Sequence, residues 1–179
     1  MFKPLMLLLI FLTTSFCTNN VVNSKTKLPN EQVVNTPIKV EKSKSSENDS
    51  YNEMLRLVNQ LRKKGCKCVR KRMRSVSSVR LNNLLGKSAL VHAKDMAKNN
   101  FFEHEGSNGS SISDRISKTG YDWQAVGENI FWGDSTVKEV FQGWKDSPSH
   151  CKNMMNGDYK EMGVAQVGKY WVQDFGKTF

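Results

Sequence analysis

No run in this 179-residue chain is long and apolar enough to cross a bilayer. Leu5 to Phe16 is only 12 residues with three of them polar, whereas a spanning helix needs about 20 apolar residues for a hydrocarbon core of about 30 Å. A transmembrane anchor is therefore disfavoured. The His-Glu-x-x-His helix of metalloproteases is missing, since His104 is followed by Glu105 and a Gly-rich loop. A Gly-x-Ser-x-Gly elbow is missing too, so a triad of Ser107 or Ser110 with His150 and Glu128 has no motif behind it. Paired Cys-x-x-Cys knuckles of structural zinc sites are absent, and no internal repeat is visible. Residues 18 to 50 contain no aromatic side chain. Lys, Ser, Asn, Glu and Thr dominate them, too polar to offset the entropy of ordering.

What is present divides the chain into three parts. Met1-Phe2-Lys3-Pro4 followed by Leu5 to Leu12 reads as a secretory leader. Thr14-Ser15-Phe16-Cys17 after it resembles a bacterial lipoprotein signal, which implies a lipid on Cys17 and an export signal spanning 1–17; plain cleavage and secretion is the alternative. Residues 18–50 are expected to form a disordered polar tether. Residues 51–179 are expected to form one domain, a comfortable size for a single core. Within it Met54, Leu55, Val58 and Leu61 repeat at helical spacing, and Gly65 ends the pattern. A second helix is predicted from about Leu84 to Asn99 and a third over Ser135 to Asp146. Ser147-Pro148 then offers an N-cap and a first-turn proline for a short helix. Met162 to Val167 and Tyr170 to Phe175 flank Gly168-Lys169 as a β-hairpin.

Charge is concentrated. Lys and Arg outnumber Asp and Glu by 27 to 17. Eight basic residues fall between Arg62 and Arg74 with no acid among them, and the rest of the domain has 13 of each sign. This reads as a solvated basic loop, or as a patch for an anionic lipid, glycan or wall polymer. No aromatic platform interleaves the charges, so nucleic acid is not an expected partner. With Cys17 set aside, Cys66, Cys68 and Cys151 remain, and export permits a disulfide. Cys151 is expected to pair with Cys66 or Cys68; a zinc site from these three with His150 is the rival reading.

Three segments stand out in order: Phe101-Phe102-Glu103-His104, Gly127-Glu128-Asn129-Ile130 and Ser147-Pro148-Ser149-His150-Cys151. With Asn59-Gln60-Leu61-Arg62, Met162 to Ala165 and Tyr170 to Gly176, they resemble the CAP superfamily, or SCP-like extracellular domain, in its compact bacterial form. The resemblance implies an α+β fold, a three-layer α-β-α sandwich with a central antiparallel sheet. It also implies a cleft lined by His104, Glu128, His150 and Asn129. His104, Glu128 and His150 are the expected ligands of zinc or another divalent cation. The family's second cleft glutamate falls at Ser147, so the four-residue site is incomplete here. The expectation is an exported binding or interaction module without assigned catalytic residues, acting on an unknown lipid, glycan or envelope polymer. A metal-dependent hydrolase of peptide or envelope polymer is the alternative.

Overall fold

A computed structural model describes residues 38–179, with side chains from Ser46 onward. The leader and Cys17 lie outside the described residues. The first helix, α1 (Ile38–Lys64), starts well before Tyr51, so the last part of the predicted disordered tether is helical. Between Ile38 and Lys64 no proline or glycine interrupts, and Pro37 stands where a helix readily begins. Once Met54 and Val58 are docked in the core, extension upstream needs no new nucleus. The helix ends at Gly65, whose φ of +69° is left-handed.

The predicted basic loop is a hairpin, β1 (Cys66–Cys68) paired with β2 (Lys71–Met73). Arg62 does not belong to its charged surface. It is fully buried, donating to the carbonyls of Ser77, Met154, Asn156 and Tyr159. One turn earlier, the Asn59 amide accepts from the Val79 N–H and donates to the Val79 carbonyl. Together these two side chains tie α1 to the segment leading into β3 (Arg80–Leu81).

Asn82 caps α2 (Asn83–Asn99) by accepting from the N–H groups of Leu84 and Leu85, and Asn100 ends it in the left-handed region. A short helix not expected from the sequence, α3 (Ile112–Lys118), is set by a capping box between Ser111 and Asp114. The long strand β4 (Trp123–Trp132) follows. Thr136 and Glu139 form a second capping box that starts α4 (Val137–Asp146), and Pro148 opens α5 (Pro148–Met154). Ser147 precedes α5 without capping it; its hydroxyl meets Ser149 instead. The predicted hairpin closes the chain as β5 (Glu161–Val167) and β6 (Tyr170–Thr178).

The sheet order is β3-β5-β6-β4, antiparallel except for the short β3, which pairs parallel with β5. Side chains alternate between its faces. On one face Ala165, Val172 and Ile130 pack against Ala89, Ala93 and Met96 of α2. On the other, Met162, Val164, Trp171 and Phe175 meet Met54 and Val58 of α1, Val140 and Trp144 of α4, and Met154 of α5. This is the three-layer sandwich. A disulfide from Cys68 to Cys151 joins β1 to α5, resolving the pairing left open by the sequence and leaving Cys66 as a free thiol.

Candidate functional site

The alternation of β4, an edge strand, distributes the cleft residues over both faces of the sheet. Glu128 lies directly across from Asp174 of β6, and Asn129 from Gln173. Gly127, which precedes them, has Tyr159 so close that a Cβ would overlap the phenol ring. The glycine of the Gly-Glu-Asn run is therefore required by packing.

On the α2 face, Glu128 is buried and held at both oxygens. His104 Nδ1 lies 2.8 Å from Oε1, and Arg115 Nη2 donates to Oε2 at 2.7 Å. Local structure explains each partner. The left-handed Asn100 turns the chain out of α2 toward His104. Asp95 then secures the loop by accepting from the Ser107 N–H and hydroxyl. The capping box of α3 fixes the turn that carries Arg115, whose second arm donates to the Ser110 carbonyl.

His92 Nε2 is fully buried, 2.8 Å from the Glu103 carbonyl and 3.9 Å from Glu128 Oε1. It is a core histidine, as its place on the apolar face of α2 suggested. Burial depresses its proton affinity, and the Glu128 charge only partly restores it.

On the other face, Asn129 donates to Gln173 Oε1 at 3.0 Å and to the His150 carbonyl at 3.3 Å. Asn153 of α5 donates to the Glu128 carbonyl and to Asn129 Oδ1. Asn129 thus binds α5 to β4 and contributes no free group to a ligand. His150 is half-buried, near enough to His104 that the two repel as cations. Its pKa is lowered, chiefly by burial and then by His104.

The charges around Glu128 follow from these contacts. Burial works against its ionisation, yet the His104 hydrogen bond and the Arg115 guanidinium hold its carboxyl below the usual range. His104 is raised by the Glu128 hydrogen bond, which outweighs its own desolvation. Its side chain is 57% exposed, so the ring is fixed from behind and open in front. Asp174 is wholly buried, with the Ser88 hydroxyl and the Glu128 carboxyl group reaching it. Desolvation first and the facing Glu128 second push its pKa well above the normal value, so its surroundings favour the neutral acid over the carboxylate. Arg115 and Asp174 were not singled out from sequence. An acid alternating with Val172 and Gly176 on a buried strand face was the available signal for Asp174.

The family model of CAP, the cysteine-rich secretory protein family, matches residues 55–175. The chain belongs to the CAP family. Its CAP domain is similar to a crystal structure of an extracellular protein containing an SCP domain from Bacillus anthracis. The identity there is 26% and the TM-score 0.69, covering 80% of this chain and 45% of that one. It is also 33% identical over 99 residues to the uncharacterized protein YkwD of Bacillus subtilis, covering 54% of this chain and 38% of that protein. With the uncharacterized membrane protein YlbC of the same organism the identity is 35% over 91 residues, covering 51% of this chain and 26% of that protein. The matched stretch therefore spans well under half of either curated relative.

Among the described residues, Cys66, Cys68 and Cys151 bring three sulfurs together, but two of these are spent in the disulfide, which overturns the zinc reading of the three cysteines with His150. The ligand atoms of His104, Glu128 and His150 do not close to such a group. Both Glu128 oxygens are occupied, one by a guanidinium that would repel a cation. The carboxylate suits the role of orienting His104 through Nδ1 and leaving Nε2 free, the arrangement that carboxylates commonly serve behind metal-bound histidines.

Proposed function

We propose that this CAP domain acts outside the cytoplasm, tethered through a lipid on Cys17, as a binding module whose cleft takes a polar ligand on His104 and His150. The observation that carries the reading is the His104 imidazole, exposed at its tip yet held at 2.8 Å by the buried, Arg115-locked Glu128. A ring so positioned has lost most of its orientational freedom before binding, which lowers the cost of recognition. Export is supported by the leader pattern and by the likeness to an extracellular SCP-domain protein. Zinc or another divalent ion fits as ligand or cofactor on His104 Nε2 and His150, with Glu128 behind His104. Bound there, it would supply a Lewis acid. The geometry favours binding over hydrolysis, because neither Glu128 oxygen is free to act as a general base. Lipid, glycan and envelope polymer are the partner classes the exported location offers.

Calorimetric titration of zinc into the oxidised chain, beside His104→Ala/His150→Ala, tests the reading. Stoichiometric binding lost in the folded variant supports the cleft site. Binding of equal strength in both places the metal elsewhere, and no binding in either removes metal from the proposal.

A further inference from the structure

Cys66 is not isolated. Its Sγ lies 3.7 Å from Cys68 Sγ and 3.7 Å from Cys151 Sγ, in contact with both ends of the disulfide. The disulfide sulfurs belong to residues 2% and 0% exposed, whereas Cys66 is half-buried. Cys66 is therefore the sulfur that an external reagent meets first. It also sits where cations gather. A groove of about 720 Å³ runs over it, lined by Lys64, Lys67, Arg72 and Arg74. A second groove that also reaches Cys66 brings in Lys145. No acid lines either groove.

We propose that Cys66 is the entry point of a thiol–disulfide exchange site, through which an anionic low-mass thiol reaches the buried Cys68–Cys151 bridge. Cys66 and Cys68 are two residues apart on β1 and so lie on one side of the strand, about 6.8 Å apart along it. A sulfur from α5 placed between them can bond to either. In the first step the Cys66 thiolate attacks Cys151 Sγ, the S–S bond to Cys68 breaks, and Cys68 leaves as a thiolate that takes up the proton Cys66 gave up. The bridge is now Cys66–Cys151, with no net oxidation or reduction.

The external thiolate next attacks Cys66 Sγ, forming a mixed disulfide and releasing the Cys151 thiolate. A second external thiolate attacks the outer sulfur of that mixed disulfide, releasing Cys66 and an external disulfide. Two external thiols are oxidised as the protein bridge gains two electrons. Burial raises the Cys66 pKa, with Lys145 partly offsetting it, so the exchange should accelerate as pH rises through the alkaline range.

The test uses the full chain carrying Cys17→Ser, so that these three are its only sulfhydryl-forming residues. Bridge reduction is followed by alkylation and peptide mass spectrometry, with glutathione as the anionic probe and 2-mercaptoethanol as the neutral one. Cys66→Ser keeps the Cys68–Cys151 bridge and hence the fold. The expected result is that Cys66→Ser slows reduction by both thiols by about tenfold or more, and that glutathione's advantage at low salt shrinks as salt rises. Equal rates with and without Cys66 would overturn the relay. A Cys66-dependent rate with no salt-sensitive preference for glutathione would overturn the recognition of anionic thiols.

Discussion

Removing the Arg62 guanidinium would leave four carbonyls without their donor at once, on two stretches of chain far apart in sequence, Ser77 and Met154 to Tyr159. Arg62→Met preserves much of the apolar stem, so the loss isolates the hydrogen bonds. Each bond to a charged donor is worth about 1.5–3 kcal/mol, although they are not additive. The expected loss is about 3 kcal/mol or more, read as a lower urea midpoint with an unchanged slope. The burial of Asp174 gives the opposite sign. Its raised pKa means that the folded state holds the proton more tightly than the unfolded chain does, so it costs stability as pH rises above the unfolded value of about 3.9. Asp174→Asn removes that cost and places an amide donor beside Glu128. It should stabilise the domain by about 1 kcal/mol or more at pH 7, with the gain fading toward pH 4; a loss at pH 7 would mean that Asp174 is ionised in place. At this scale His104, Glu128 and His150 were legible because each sits in a short recognisable run. Arg62 stood in a recognisable run but was counted with the basic loop, and Asp174 was not singled out, because a charge looks solvated in sequence until distant carbonyls or a facing carboxylate are placed against it.

Elements were legible where one periodicity ran long enough. The apolar face of α2 and the β5–β6 hairpin with its left-handed Gly168 follow directly from spacing and turn chemistry. The β1–β2 hairpin was hidden because half of its eight residues are basic and its strands are three residues each, and α3 because its seven residues are too few for a period to show. The sulfur cluster adds a prediction that belongs to these elements. Cys151→Ser breaks the tie between α5 and β1, and closing a chain separation of 83 residues is worth about 4 kcal/mol in the entropic account. Cys68→Ser should lose much less, because Cys66 lies in reach of Cys151 and can restore the tie. Thermal melts of the two variants under oxidising conditions compare them, and equal losses would show that Cys66 cannot substitute. Helix-to-sheet spacing offers a second check. A Cβ at Gly163 would overlap the backbone at Leu85 and Gly86, so Gly163→Ala must push α2 off β5, with an expected cost of about 1–3 kcal/mol.

Over the whole molecule, the sandwich brings a loop from one face of the sheet and a helix from the other to the edge strand β4, and its stability should record that junction as pH changes. The domain's three histidines do not act alike. For His104 the folded pKa is raised, so its pairing with Glu128 contributes fully below the unfolded value of about 6.5 and is lost as pH rises through the folded value. For Glu128 the folded pKa is lowered, so its contribution is full above the unfolded value of about 4.3 and is lost as pH falls through the folded value. The two overlap between about pH 4.5 and 6.5. His92 and His150, whose pKa values are lowered mainly by burial, run the other way and favour the folded state above about pH 6.5. A wild-type curve alone would blend these opposing effects. His104→Gln keeps a hydrogen-bonding group toward Glu128 but cannot take a proton, so subtracting its urea midpoints from those of the wild type isolates one histidine. The difference should be largest near pH 5.5 and shrink toward pH 8.5. A difference that stays constant across that range would mean that His104 bonds Glu128 as a neutral ring throughout, and that the cleft presents a hydrogen-bonding imidazole where the charged pair was expected.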